Sequence, residues 1–211
     1  MTSSKDTYLI FLLIVERLTI MTLKLKDILM MAITAVVFGV VYLAAVYAAV
    51  PVTTALTPFG LASFGYEPFF GIWYMAAAFA IYVIRKPGVG LIAEVIAAVL
   101  ETLMGNFFGP MVIVTGLVEG LGFELPFALT RYKKFTPTML AISSITASSI
   151  TLVYNWFVSG YSQISIPILA LMLAVRIVSA LFFSTFVVHT LTKTLAKAGI
   201  LNSYASNDLK D

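Results

Sequence analysis

Four glutamates, Glu94, Glu101, Glu119 and Glu124, stand in the otherwise apolar stretch EVIAAVLETLMGNFFGPMVIVTGLVEGLGFE. A carboxylate in hydrocarbon costs on the order of a few kcal/mol or more, so it faces a partner or a wet cavity rather than lipid. Glu94 and Glu101 are seven residues apart, about two helical turns, and share one helix face. Arg176 is the one base placed in the interior of an apolar stretch. It is expected to pair with Glu119, Glu94 or Glu124, because an unpaired arginine there is costly. That leaves Glu101 and Glu67 without a basic residue at their level. An uncompensated carboxylate in a low-dielectric pocket favours a cationic or amine-bearing ligand. The competing reading of Glu67 is a helix-start charge favoured by the helix dipole.

Aromatic and amide side chains fall at the same level as Glu101 and Glu67. They are Tyr66, Trp73 and Tyr74, then Asn106, Phe107 and Phe108, then Tyr154, Asn155, Trp156 and Tyr161. Some of these fit an interfacial aromatic belt. Tyr154 and Asn155 lie within an apolar span rather than at its end. Tyr and Trp faces also stack on flat rings and cations. Together the residues describe an outward-facing pocket for a small, flat, nitrogen-rich, partly cationic molecule. Catalysis has little support. His189 is the only histidine, there is no cysteine, and neither H-E-x-x-H nor a P-loop pattern occurs. No metal or cofactor site is expected, and ATP hydrolysis by this chain is not.

The elements that carry these residues are those of an all-α integral membrane protein. The 211-residue chain is 61% hydrophobic and 11% charged, with a mean hydropathy of +1.02. Soluble domains carry about 25% charged residues. The formal charge of +3 does not point to nucleic acid. Its bases sit in short loops and tails, where they set membrane topology. Six transmembrane helices are expected, at about 28–50, 67–86, 89–104, 110–131, 137–159 and 166–192, each near the ~20 residues a span needs. Pro126 is expected to kink the fourth. The apolar segment 51–66 reads as a loop lying back over a cavity mouth. Residues 25–201 form the membrane domain and 202–211 a polar, frayed cytoplasmic tail. Residues 1–24 read as an N-terminal extension with an apolar run at 8–15 too short to span, and Met21 is an alternative start.

Loop charges orient the helices. Lys24 and Lys26, Arg85 and Lys86, Arg131, Lys133 and Lys134, and Lys193 and Lys197 fall on one side, while the three opposite loops hold no Lys or Arg. Both termini are therefore expected to be cytoplasmic. The first helix carries Ala35-x-x-x-Gly39, Ala44-x-x-x-Ala48 and Ala45-x-x-x-Ala49. Small residues so spaced let another helix approach, either within the protein or from a partner.

Seven stretches, in order, resemble one family: Tyr66-Glu67-Pro68, Gly71-Ile72-Trp73, Ile84-Arg85-Lys86-Pro87-Gly88, Gly105-Asn106, Gly109-Pro110-Met111-Val112, Glu119-Gly120-Leu121-Gly122 and Val158-Ser159-Gly160-Tyr161. They are similar to the YkoE-type substrate-binding subunits (S-components) of energy-coupling factor vitamin transporters. The resemblance implies an S-component-like six-helix bundle in a bacterial or archaeal cytoplasmic membrane. Its ligand would be thiamine or the hydroxymethylpyrimidine precursor. Its partners would be a transmembrane coupling protein (T-component) and two cytoplasmic ATPases, with toppling in the bilayer carrying the pocket inward. The resemblance also implies a partner-docking face on the first helix, here Ala35, Gly39, Ala45 and Ala49. The candidate substrate-binding set is Glu101, Glu67, Trp73, Tyr66, Asn106, Glu119, Tyr154, Asn155, Trp156 and Tyr161. Competing readings are an S-component for another small nitrogen heterocycle and, in a different class, an intramembrane enzyme or scaffold.

Overall fold

The structure, a computed structural model, describes residues 23–210. The expected N-terminal extension and the alternative start at Met21 lie outside the described residues. Helix α1 (Leu25–Leu56) opens on Asp27, whose carboxylate accepts from the Lys24 backbone N–H at 2.9 Å and from Lys86 Nζ at 2.6 Å. Met31, Ala35, Phe38, Tyr42, Ala45 and Ala49 are buried along one face. Their alternating spacing of four and three is the apolar stripe of a helix packed on one side. The other face, through Leu29, Ile33, Val36, Val37 and Val40, is exposed.

Segment 51–66, expected as a loop, is largely helical. Proline lacks the N–H that a helix interior needs, yet α1 continues through Pro51 to Leu56. The Thr53 hydroxyl donates to the Val50 carbonyl at 2.8 Å and the Thr57 hydroxyl to the Thr53 carbonyl at 2.8 Å, so side chains support this last turn. After Gly60, a 3₁₀ helix runs over Ala62–Tyr74 and leads straight into α2 (Met75–Ile84). Such a run is unusually long for 3₁₀ geometry. All ten residues of α2 are buried. This element is the post around which the others stand.

Arg85 and Gly88, both with positive φ, turn the chain into α3 (Val89–Leu103). Helix α4 (Met111–Leu129) follows, with Pro126 inside it. Helix α5 (Pro137–Val158) is capped by Thr136, whose hydroxyl accepts from Met139 N. Helix α6 (Ile166–Ala180) passes through a π-helical stretch, Leu181–Val187, into α7 (Val188–Lys197).

Among the described residues, five helices are long and apolar enough to cross a membrane: Leu25–Phe59, Ala62–Ile84, Met111–Leu129, Pro137–Val158 and Ile166–Lys197. The expected third span is shorter. At 15 residues, α3 rises about 22 Å, below the ~30 Å of a hydrocarbon core. Glycines bound it on both sides, Gly88 before and Gly105 after.

The tail was expected to fray but is docked. Leu201, just before it, is fully buried, and Tyr204 and Leu209 within it pack on the core. Tyr204 OH donates to the Lys26 carbonyl at 2.7 Å, Lys26 Nζ donates to the Ser203 carbonyl, and Arg85 grips Asp208 with two bonds of 2.7 and 2.8 Å. The few apolar residues in this polar stretch supply the burial that holds it.

Candidate functional site

The buried acids divide into two groups according to who donates to them. Glu94 Oε2 accepts from Tyr42 OH at 2.9 Å and from the Ala77 backbone N–H at 2.8 Å, tying α1, α2 and α3 together. Glu124 accepts from the Gly88 N–H, from Leu91 N at 2.8 Å and from Tyr132 OH at 2.9 Å. It thereby caps the first turn of α3, whose N–H groups have no partner within the helix. These two carboxylates hold the fold together.

Glu101 and Glu119 behave differently. Glu101 is 1% exposed, and neither of its oxygens has a hydrogen-bond partner among the described residues. The Trp73 and Asn106 side chains are its polar neighbours. Glu119 forms no salt bridge among the described residues. Both residues line a cavity of about 470 Å³. Ligand pockets of roughly this size are the rule for small molecules.

The cavity walls are aromatic. Tyr66, Phe70 and Trp73 come from the 3₁₀ helix, Phe108 from the α3–α4 turn, and Tyr154 and Tyr161 from the end of α5 and the turn beyond it. Tyr154 OH is buried without a partner among the described residues, as is Asn106 Nδ2. The Asn106 carbonyl oxygen accepts from Phe108 N at 2.8 Å and Gly109 N at 3.1 Å, so that side chain shapes the turn. Asn155 lines the cavity and accepts from the Ser159 hydroxyl at 3.3 Å.

Arg176 pairs with none of the three acids expected for it. Its Nε and Nη2 donate to Glu67 Oε2 and Oε1 at 2.6 and 2.7 Å, and both side chains are fully buried. The correction has a geometric origin. The helical element begins at Ala62 rather than at Glu67. Glu67 therefore lies about 10 Å inside it at the 2.0 Å rise of a 3₁₀ helix. Arg176 lies about 15 Å inside α6, and the ~5 Å that separates the two depths is within the reach of the long arginine side chain. Glu67 thus stands behind the cavity wall and does not line the cavity. Trp156 does not line it either and is 39% exposed on the outer face of α5. Ala35, Gly39, Ala45 and Ala49, expected on a docking face, are buried inside the protein. A Cβ at Gly39 would sit 3.2 Å from the Ala97 carbonyl of α3.

Phe70, Ser63 and Thr115 line the cavity but are absent from the sequence-derived set. Phe70 had a legible signal. It stands three residues before Trp73, a member of that set, and the two share a face if the segment is 3₁₀.

Comparison with known proteins adds three likenesses. A family model described as "ABC-type cobalt transport system, permease component" matches residues 26–150. The YkoE protein of Bacillus subtilis (strain 168), named as a proposed HMP/thiamine permease protein, is 38% identical over 182 residues, covering 86% of this chain and 89% of that one. A solved structure described as a crystal structure of an S-component of an ECF transporter superposes with a TM-score of 0.83 at 37% identity, covering 90% of this chain and 94% of the other.

Proposed function

The chain belongs to the YkoE family of S-components of energy-coupling factor transporters, and on that premise we propose that it captures thiamine or its hydroxymethylpyrimidine precursor for uptake. Its relatives are membrane transport subunits, not enzymes. One observation carries the ligand reading. Among the described residues the two cavity carboxylates, Glu101 and Glu119, have no ion-pair partner, while Arg176 behind the wall is already neutralised by Glu67. A cation is the ligand that such a cavity favours. Thiamine supplies a cationic thiazolium and an aminopyrimidine whose amine donates hydrogen bonds. Tyr66, Phe70, Trp73, Tyr154 and Tyr161 supply faces for either ring.

A metal cargo finds no such support. Among the described residues no group of three or more His, Asp or Glu side chains is placed to hold a metal ion.

The cavity opens at the end of the bundle whose loops carry no Lys or Arg, which by the positive-inside rule is the outer end in a bacterial or archaeal cell membrane. Delivery follows the S-component scheme. A transmembrane coupling protein and two cytoplasmic ATPases drive the subunit to topple, and the pocket is carried inward. With Ala35, Gly39, Ala45 and Ala49 buried, the docking face falls to the exposed side of α1, where Ala44 and Ala48 lie among branched apolar residues.

The test is a titration of the ligand-free, detergent-purified protein with thiamine and, separately, with hydroxymethylpyrimidine, followed by calorimetry and tryptophan fluorescence. Saturable binding of at least one is expected. Of the two tryptophans only Trp73 lines the cavity, so Trp73→Phe should remove the fluorescence response. Absence of heat with both compounds would overturn the vitamin reading.

A further inference from the structure

Behind the aromatic wall lies a buried ion pair. Arg176 and Glu67 are both 0% exposed, and neither lines the cavity. The pair nevertheless reaches two residues that do. The guanidinium carbon of Arg176 sits 3.5 Å from the centroid of the Phe70 ring. Tyr161 OH donates to Glu67 Oε1 at 2.9 Å. A third arm secures the arginine from α5, where Thr151 Oγ1 lies 3.2 Å from Arg176 Nη1 and 2.6 Å from Tyr74 OH.

A buried ion pair is weak evidence for stability, because apolar replacements of similar volume often match it. This one has a consequence that an apolar replacement would share in charge but not in geometry. Its charges sum to zero beside a cavity whose own free charges are Glu101 and Glu119. It also fixes Phe70 by a cation–π contact and Tyr161 by a hydrogen bond.

We propose that Glu67 silences the charge of Arg176 behind the cavity wall, so that the pair holds Phe70 and Tyr161 in place without altering the cation preference of the cavity. Preference for a cation then rests on Glu101 and Glu119 alone. Arg176 and Glu67 act as positioning residues, since they act on a ligand only through others. The inference rests on the vitamin reading of the same cavity.

The readout is the ratio of affinities for thiamine, a cation, and hydroxymethylpyrimidine, a neutral molecule, measured by calorimetry on the full-length protein. General loosening of the fold weakens both ligands and leaves this ratio alone. Glu67→Gln leaves the guanidinium uncompensated and should lower the thiamine preference on the order of tenfold, as expected for one unit charge about a nanometre away at an effective dielectric near 20. Arg176→Met should move the ratio the other way. The double variant Glu67→Gln/Arg176→Met is neutral again and should return the ratio to within about threefold of the parent, with both ligands weakened. Tyr161→Phe keeps both charges and should weaken both ligands by one common factor.

Equal shifts for both ligands in the single variants would overturn the proposal. So would a double variant whose ratio stays with either single. Should a single variant strand a buried charge and fail to fold, the double variant and Tyr161→Phe decide alone, and a changed ratio in either overturns the proposal. If the parent protein binds neither compound, the vitamin reading falls and this inference falls with it. If the parent binds and the ratios fail, only the inference falls.

Discussion

At the residue scale, Glu94, Glu101, Glu119 and Glu124 look alike in the sequence, and what separates them is the supply of donors. A carboxylate that accepts backbone and tyrosine hydrogen bonds, as Glu94 and Glu124 do, has its burial offset inside the protein. A carboxylate with neither oxygen partnered, as in Glu101, carries an unmet cost that a ligand can relieve. Glu101→Gln should therefore weaken thiamine binding by about ten- to a hundredfold, the value of a hydrogen bond to a charged group, as read by calorimetric titration. Unchanged affinity would take Glu101 out of the recognition chemistry. Glu94→Gln should act on the fold instead. It disturbs the contacts to Tyr42 and Ala77 and should lower the unfolding temperature in detergent. The acidic character of the cavity was legible in the sequence as carboxylates in apolar surroundings. The partner of Arg176 was not, because pairing depends on where along the second span Glu67 falls, and that depends on a 3₁₀ rise which residue types do not announce.

At the element scale, the 3₁₀ helix Ala62–Tyr74 is what the sequence pattern concealed. A run of small and aromatic residues around Pro68 reads as the end of a loop followed by an ordinary span, yet α6 holds the segment through Glu67, Pro68 and Gly71. Ser179 Oγ donates to the Pro68 carbonyl at 2.7 Å and accepts from Gly71 N at 3.0 Å. At Gly71 the two backbones approach so closely that a Cβ would collide with the Ser179 carbonyl. Gly71→Ala should thus cost about 1–3 kcal/mol, the usual range for forced overpacking, and lower the thermal unfolding midpoint of the purified protein. An unchanged midpoint would mean that the 3₁₀ helix can shift away from α6. The same reasoning separates the small residues of α1. Ala35 is fully buried, so Ala35→Leu should destabilise the protein by a similar amount of about 1–3 kcal/mol. Ala44 lies on the exposed side, so Ala44→Leu should leave the unfolding midpoint and ligand affinity alone and reduce uptake in cells that carry the complete transporter. Normal uptake in the Ala44→Leu cells would move the docking face elsewhere. The repeat of small residues was visible in the sequence, but which repeat faces inward is fixed by the 3.5-residue stripe from Met31 to Ala49.

At the scale of the whole molecule, charge and polarity are divided between two ends. The cavity, with its unpartnered carboxylates and aromatic rings, lies at the end whose loops hold no Lys or Arg. The other end gathers the basic loops and the docked tail, where Arg85 meets Asp208 and Lys86 meets Asp27. This separation was readable from loop composition alone, since it needs only the order of apolar segments and the positions of the bases. The shortness of α3 was less readable, because its length is cut by turns at Gly88 and Gly105 rather than by a change in hydropathy. A short α3 flanked by glycines keeps Glu101 within a few residues of the charge-free end, which brings it into the cavity. If that end is extracellular, a vitamin enters from outside and the tail faces the ATPases. The chain contains no cysteine, so a single introduced thiol reports its own side of the membrane. Ser162, exposed in the turn between α5 and α6, and Ser203, exposed in the tail, are near-isosteric sites for cysteine. Ser162→Cys should react with a membrane-impermeant maleimide on intact cells. Ser203→Cys should react only after permeabilisation. The reverse pattern would place the cavity on the cytoplasmic side and exclude capture from outside, and labelling of both in intact cells would require an odd number of crossings between residues 162 and 203 to be abandoned, removing α6 and α7 as a continuous span.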